Sequence, residues 1–214
     1  MNIPDKEKLR LSKLWHFERE AQARGYQHVV GVDEAGRGPL AGPVATAACI
    51  LPPNFAIAGI NDSKKIPEKK RERLYQEIID TPDLIYKVVL INVDDIDTLN
   101  IYQATQKGIK IALKDLYQAD YALIDGMAIP SLSLPHKKII RGDSKSISIA
   151  TASILAKVTR DRFMRKIHEE YPMYQFTQHK GYGTSAHLAA LHKYGPCKYH
   201  RKSFKPVSCL ESLV

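Results

Sequence analysis

The chain has 214 residues and a formal net charge of +9 at pH 7, from 32 Lys and Arg against 23 Asp and Glu. Its composition, 44% hydrophobic and 26% charged, is typical of a globular protein. No apolar run approaches the ~20 residues that a membrane helix needs, and the charged N-terminus lacks a signal-peptide core. Three cysteines without metal-ligand spacing fit a reducing compartment, so we expect a cytoplasmic protein with no membrane partner. The basic balance favours a polyanionic partner, nucleic acid first, over a solvated basic surface.

Apolar spacing predicts the following elements in chain order. The first is a helix over about residues 5–24, followed by two strands, 29–33 and 44–51, whose short connection makes them antiparallel neighbours. The rest are a helix over 67–80, a strand over 84–93, a helix over 98–117 capped by Asp94 or Asp97, strands over 121–124 and 137–140, a helix from Ser144 or Ser146 to about 170, and a helix over 187–194 capped by Thr184.

This alternation predicts an α/β or α+β fold built on a mixed sheet flanked by helices. The chain contains no internal repeat and no linker-like stretch, so residues 1–214 are expected to form a single domain.

Three predicted strands end in acids beside glycine, and these acids are Asp33, Glu34, Asp125 and Asp143. Open sheets place their chemistry at strand ends, where loops are free to vary on a rigid support. Four carboxylates gathered there would repel one another unless divalent cations neutralised them. Hard oxygen ligands suit Mg²⁺ or Mn²⁺ rather than zinc, and two such ions ~4 Å apart are a common device for hydrolysing phosphodiesters. A basic protein with such a site is a nuclease candidate.

One geometric difficulty concerns the neighbours Asp33 and Glu34. Adjacent side chains of a regular strand point to opposite faces, so both reach one metal site only if the strand departs from regularity there. The glycines that begin at Gly36 make such a departure possible.

Phosphate-binding features accompany the acids. The tetrads Asp62-Ser63-Lys64-Lys65 and Asp143-Ser144-Lys145-Ser146 each precede a predicted helix, where free backbone N–H groups and a lysine suit a phosphate. Arg37, between Gly36 and Gly38, suits a phosphate as well. Tyr182 also lies between glycines, so its ring is either open to a sugar or base face or packed as a half-buried tyrosine.

Two other sites are disfavoured by the sequence. The segment Gly36 to Gly42 is followed by Pro43-Val44 and not by Lys-Ser/Thr, so it is not a nucleotide P-loop. The pair Cys197 and His200 resembles half of a zinc site, but the other half is missing.

Several motifs occur in order along the chain: VDEAGRGPLAGPV (32–44), DSKK (62–65), the IDG that ends at Gly126, GDSKSISIATASILAKVTRDR (142–162), HKGYGTSAH (179–187) and HRKSFKPV (200–207). Together, over about residues 28–207, they resemble bacterial ribonuclease HII. The sister type, ribonuclease HIII, normally carries an extra N-terminal domain and lacks the Gly-Arg-Gly form, so it fits less well.

The resemblance implies a ribonuclease H-like fold, with an N-terminal helix over about 1–25, a catalytic core over about 28–170 and a C-terminal helical extension over about 171–214. It implies endonucleolytic cleavage of the RNA strand of RNA/DNA hybrids, and cleavage 5′ of single ribonucleotides embedded in duplex DNA. The implied mechanism uses two metal ions, Mn²⁺ or Mg²⁺, and leaves a 3′-hydroxyl and a 5′-phosphate. The absence of an obvious coiled coil favours a monomer.

The resemblance also assigns roles to residues of this chain. Asp33, Glu34, Asp125 and Asp143 would be the catalytic metal ligands, with Asp33 and Asp143 closest to the metals. Residues Gly36, Arg37 and Gly38 would sense the ribose 2′-hydroxyl and a neighbouring phosphate, and Tyr182 would stack on the following deoxyribose. Further positions expected near phosphates are Lys64, Ser144 and Lys145.

Two alternatives belong to other classes of protein. The first is a non-catalytic nucleic-acid binding protein on the same fold, which would not need four acids at strand ends. The second is another nuclease of similar fold, such as a DNA-junction resolvase or a transposase core, which would lack the Gly-Arg-Gly and Lys-Gly-Tyr-Gly-Thr segments.

Overall fold

The computed structural model of the chain describes residues 3–211. Within that range five strands form one sheet with helices around it. The strands are β1 (Val29–Ala35), β2 (Val44–Ile50), β3 (Ile85–Ile91), β4 (Tyr121–Asp125) and β5 (His136–Ile139). The α-helices are α1 (Asp5–Leu14), α2 (His16–Ala23), α3 (Glu68–Ile79), α4 (Val93–Leu99), α5 (Ile101–Asp115), α6 (Ile147–Glu170), α7 (Phe176–His179), α8 (Ser185–Tyr194) and α9 (Val207–Glu211).

The sheet is mixed, with the strand order β3-β2-β1-β4-β5. The pairs β1–β2 and β2–β3 are antiparallel, whereas β1–β4 and β4–β5 are parallel. The predicted α/β fold on a mixed sheet is therefore confirmed, as is the antiparallel pairing of the first two strands. Because β1 and β4 are parallel neighbours, their carboxyl ends meet at the same edge of the sheet.

Helices cover both faces of the sheet. On one face Ala47 and Cys49 of β2 pack in a buried cluster with Leu155 of α6. On the other face Val30 and Val32 of β1 pack in a cluster with residues of α5. The long helix α6 is buried along most of its length, which explains why its sequence shows small and apolar residues on more than one side.

Two predicted helices differ from the structure. The N-terminal helix is broken at Trp15 into α1 and α2. The helix expected over 98–117 begins only at Ile101, and the separate helix α4 precedes it. The prediction that Asp94 or Asp97 caps this helix was wrong. The side chain of Asn100 accepts from the backbone N–H groups of Tyr102 and Gln103 in α5, and the backbone of Asn100, at φ 67°, ends α4.

The caps predicted for the last two long helices are confirmed. Ser146 Oγ accepts from the backbone N–H at the third residue of α6, and Thr184 Oγ1 accepts from that of His187 in α8. The short helices α7 and α9 were not predicted. Among residues 3–211 no helix combines the length and the apolar character needed to cross a bilayer.

Candidate active site

Three acids meet at the carboxyl edge of the parallel strands. Asp33 follows Val32, the last residue of β1 that is paired with β4, and Asp125 is the last residue of β4 itself. Asp143 lies in a single 3-10 turn over residues 142–144, after β5. One carboxylate oxygen from each acid lies within 4.8 Å of the others, and Asp33 and Asp143 are each only 4% exposed.

Local geometry holds these acids in place. The backbone N–H of Gly142 donates to Asp125 Oδ1 at 2.6 Å, which ties the turn that carries Asp143 to the end of β4. A Cβ at position 142 would lie 2.6 Å from Ile149 Cδ1 and 3.2 Å from Asp125 Oδ1, so a larger residue there would displace the side chain of Ile149 and crowd that of Asp125. Asp33 Oδ1 accepts from the backbone N–H of Glu34 at 2.7 Å.

The electrostatics of the cluster favour bound cations. Burial, and then the charges of neighbouring acids, raise the pKa of Asp33 well above its usual range. Burial also raises the pKa of Asp125 and that of Asp143. The one salt bridge to the three aspartates within residues 3–211 comes from Lys64, whose exposed Nζ is 3.8 Å from Asp143 Oδ2. Hard oxygen donors that are poorly neutralised by protein groups are the donor set that Mg²⁺ or Mn²⁺ prefers, so these residues fit a divalent metal.

Glu34 lies beside this cluster and not within it. Strand β1 stays paired with β2 through Ala35, so the departure from regularity considered for the Asp33–Glu34 step does not occur in the backbone. Glu34 Oε1 is 3.4 Å from Arg37 Nη1, and Oε2 is buried without a hydrogen-bond partner in the described part of the chain. Burial raises the pKa of Glu34, Arg37 opposes the increase, and the charge of Asp125 adds to it. A buried carboxylate oxygen without a partner is suited to a cation.

The loop over residues 36–42, which we call the sensor loop, continues directly from β1. Gly36 has φ +94°, and a Cβ there would overlap the side chain of Arg160, so the required close approach is to the protein's own arginine. A Cβ on Gly38 would lie 3.8 Å from Tyr182 Cε1, which places the loop next to that ring. The Arg37 side chain is 44% exposed.

Tyr182 is 45% exposed, so its ring is open to solvent and is not packed in the core. Its carbonyl oxygen lies 2.9 Å from His187 Nδ1, which therefore donates to it. The structure thus brings together an exposed aromatic ring and the sensor loop, two features that lie more than 140 residues apart in the sequence.

The groups predicted to contact phosphates already form hydrogen bonds within the protein. The backbone N–H of Lys64 is satisfied by Asp62 Oδ1 at 2.9 Å, so this turn does not present that N–H to a ligand. Ser144 Oγ donates to the carbonyl of Arg141 at 2.9 Å, and Lys145 Nζ donates to that of Ile140 at 2.8 Å. Both Ser144 and Lys145 nevertheless face a cleft of about 830 Å³.

Sequence reasoning missed the other wall of this cleft. It consists of residues of α1 and α2, among them Lys13, His16 and Arg19. It also missed two fully buried arginines, Arg160 and Arg201, which donate to backbone carbonyls in and around the sensor loop. No spacing pattern distinguishes these residues, because their contacts are with segments far away in sequence.

The zinc alternative is not supported. Cys197 Sγ lies 3.2 Å from His200 Nδ1, but the three aspartates are the only set of three or more potential ligand residues that converge within residues 3–211.

A mixed sheet with buried acids at the ends of parallel strands defines the class of this protein, and solved structures agree. The ribonuclease H2 of Pyrococcus horikoshii OT3 matches with a TM-score of 0.73 at 24% identity, over 87% of this chain and 98% of that chain. A structure of Bst-RNase HIII in complex with Mn²⁺ matches with a TM-score of 0.62 at 14% identity, over 87% of this chain and 70% of that chain. The protein has the ribonuclease H-like fold with a C-terminal helical extension.

The family follows from the sequence comparisons. The family model described as Ribonuclease HII matches residues 30–207. A protein named Ribonuclease HII from Chlamydia caviae is 50% identical over 204 residues, which cover 95% of either chain. The chain belongs to the ribonuclease HII family and is a metal-dependent ribonuclease H, an endonuclease that hydrolyses phosphodiesters. The resemblance seen in the sequence motifs is confirmed.

Proposed function

We propose that this protein hydrolyses the RNA strand of RNA/DNA hybrids and cuts 5′ of single ribonucleotides embedded in duplex DNA. The products would carry a 3′-hydroxyl and a 5′-phosphate. The observation that carries the proposal is the convergence of three aspartates, two of them buried, at the end of the strand from which the sensor loop continues toward Tyr182. One edge of the sheet would thereby provide both a metal site and a surface that recognises the ribose.

Asp33, Asp125 and Asp143 would hold the divalent cations. Glu34 lies beside this cluster, and it would add a fourth carboxylate if its side chain turned its unpartnered Oε2 toward the bound ions. We propose Mn²⁺ or Mg²⁺, in a two-metal mechanism, because all four donors are hard oxygens. Bound cations of this kind activate a water molecule and neutralise charge on the phosphate and the leaving oxygen. The protein's part is to fix the carboxylates on a rigid sheet, with Lys64 as a further positive charge toward the phosphate.

Ribose recognition would be the task of the sensor loop and Tyr182. Only the 2′-hydroxyl distinguishes a ribonucleotide from its deoxy neighbour, so a reader must approach the sugar closely. Within Gly36-Arg37-Gly38 the side chain of Arg160 fills the space beside Gly36, so Gly38 would permit that approach. The exposed Arg37 guanidinium suits the adjacent phosphate. The Tyr182 ring, beside Gly38, is open for stacking on the next deoxyribose.

The backbone of the duplex would lie along a basic track. The cleft that contains Ser144 and Lys145 also contains Lys13 and Arg19, and it begins one residue after Asp143. Contacts of this kind position the substrate without reading bases, so cleavage should depend little on sequence. Since residues of the N-terminal helices and of the C-terminal extension both reach the site, we propose that the chain works as a single catalytic domain.

Asparagine variants test the metal assignment. We expect Asp33→Asn and Asp143→Asn to abolish cleavage, in Mn²⁺ or Mg²⁺, of a duplex that contains one ribonucleotide. Circular dichroism should show that both variants are folded. Asp115→Asn, at an exposed ion pair with Lys87, is the matched control and should retain full activity. Full activity in both site variants would refute the metal assignment, whereas tight binding without any product from the wild-type protein would favour a non-catalytic binding protein.

A further inference from the structure

Arg201, in the segment between α8 and α9, is fully buried and donates only to backbone carbonyls. Its Nη2 is 2.6 Å from the carbonyl oxygen of Gly36 and 2.8 Å from that of Gly42. Its Nη1 donates to the carbonyl of Arg37 at 2.9 Å, and its Nε donates to that of Gly42 at 3.0 Å. One guanidinium therefore joins the two ends of the sensor loop.

Backbone hydrogen bonds connect the same loop to the C-terminal segment. The N–H of Arg201 donates to the carbonyl of Leu40, and the N–H of Gly42 donates to that of Tyr199, both at 2.8 Å. On its other side, the N–H of Leu40 donates to the carbonyl of Gly181 at 2.8 Å, next to Tyr182. The loop is thus held between the C-terminal segment and the segment that carries the exposed tyrosine.

A second buried arginine completes this frame. Arg160 of α6 donates to the carbonyls of Ala41, Pro43 and Lys180 at 2.9–3.0 Å. Within residues 3–211 neither Arg160 nor Arg201 forms a salt bridge with a carboxylate. Burial, and then the charge of Arg160, lower the pKa of Arg201 to about 9. Burying two cations in this way is unfavourable unless their donors are fully used, and here the donors are used to shape one loop.

We infer that Arg201 is a positioning residue for ribose recognition. By holding the carbonyls of Gly36, Arg37 and Gly42, it fixes the path along which the sensor loop faces the sugar beside Tyr182. The inference rests on the proposed function, since it assigns a cause to the discrimination between ribose and deoxyribose. Only arginine offers a rigid planar fork of donors that spans these carbonyls, and lysine provides the charge without the fork.

The test measures binding and not cleavage, so an effect of the substitution on the cleavage step does not contribute to the result. In an Asp33→Asn background without divalent ions, dissociation constants are measured for two duplexes that differ in a single 2′-hydroxyl. The dissociation constant of the all-DNA duplex divided by that of the duplex with the 2′-hydroxyl measures how strongly the protein prefers ribose. We expect Arg201→Lys to lower this ratio at least about tenfold, equivalent to 1.4 kcal/mol, and Arg201→Gln to lower it further. Affinity for the all-DNA duplex should change little, because Arg201 is buried and does not reach the nucleic acid.

Leu116→Ala is the control for lost stability. Leu116 is 2% exposed and packs in the cluster on the α5 face, so its truncation should destabilise the fold by about 2–5 kcal/mol. All variants are measured well below their own unfolding temperatures. The inference is overturned if Arg201→Lys keeps the ratio of the background protein, or if Leu116→Ala lowers it equally. A background protein that binds both duplexes equally would refute the proposed ribose reading itself.

Discussion

Replacing Asp33 by asparagine should stabilise the metal-free protein while it weakens metal binding. Asp33 is buried beside two other aspartates, and its pKa is raised by burial, by the charge of Glu34 and by the charges of those aspartates. An ionised carboxyl at this position therefore opposes folding when no cation is bound. Asparagine has nearly the same shape and carries no charge.

The magnitude follows from the geometry. The three carboxylates lie within 4.8 Å of one another, and at that distance two unit charges repel by about 3 kcal/mol at an effective dielectric constant of ~20. Protonation of one acid relieves part of this repulsion, so we expect the variant to gain about 1–3 kcal/mol at pH 8. For a chain of 214 residues that gain corresponds to an increase in Tm of about 3–10 °C.

Thermal unfolding in EDTA and in excess Mn²⁺ measures both effects. A carboxyl with a raised pKa contributes its full stability at low pH, and that contribution is lost as the pH rises through the raised pKa. The stability that Asp33→Asn gains over the wild-type protein should therefore be larger at pH 8 than at pH 5. Metal at about 100 times its Kd should stabilise the wild-type protein by about 2.7 kcal/mol and the variant by much less. An Asp33→Asn protein that is no more stable than wild type in EDTA at pH 8, or that Mn²⁺ stabilises equally, would refute this reasoning.

Three further predictions concern the substrate surface and the C-terminal extension. Tyr182→Ala should lower cleavage of a single-ribonucleotide duplex by about 10–100-fold, the value of one stacking contact, and an equal loss on a long RNA/DNA hybrid in the same gel assay would make the tyrosine structural. Lys13→Glu should weaken duplex binding and reduce the slope of log Kd against log salt by about 1, measured by fluorescence anisotropy, whereas Lys110→Glu, outside the cleft, should leave that slope unchanged. Burial lowers the pKa of His187 and of His200 to about 4, and their Nε2 atoms are 3.1 Å apart, so protonation would oppose two N–H groups. The contribution of these neutral rings to the free energy of unfolding should therefore be fully present above about pH 6.5 and fall by about 3 kcal/mol per histidine as the pH drops to 4. Urea titrations that show no such loss would contradict the burial of neutral rings.

The sequence predicted those parts of the fold that local chemistry determines. The alternation of apolar runs located all five strands, and Ser146 and Thr184 were recognisable as helix caps because their side chains act on backbone groups close in sequence. The break at Trp15 and the cap of α5 at Asn100 were missed, because the predicted helices ran across or past both positions.

For the site, strand ends were sufficient to indicate that Asp33, Asp125 and Asp143 converge, and the structure brings them together. The place of Glu34 depends on whether β1 stays regular, which strand pairing decides and local sequence does not. The support given by Arg201 to the sensor loop joins residues more than 150 positions apart, so nothing in a window of sequence points to it.

Cleavage of two duplexes that differ in one 2′-hydroxyl tests the central claim most directly. The account predicts that, in Mn²⁺ or Mg²⁺, the duplex with the ribonucleotide is cut once, on its 5′ side, and yields a 3′-hydroxyl and a 5′-phosphate. It predicts no product from the all-DNA duplex and none from either duplex in EDTA. Equal cleavage of both duplexes, or cleavage in the absence of divalent ions, would contradict the account.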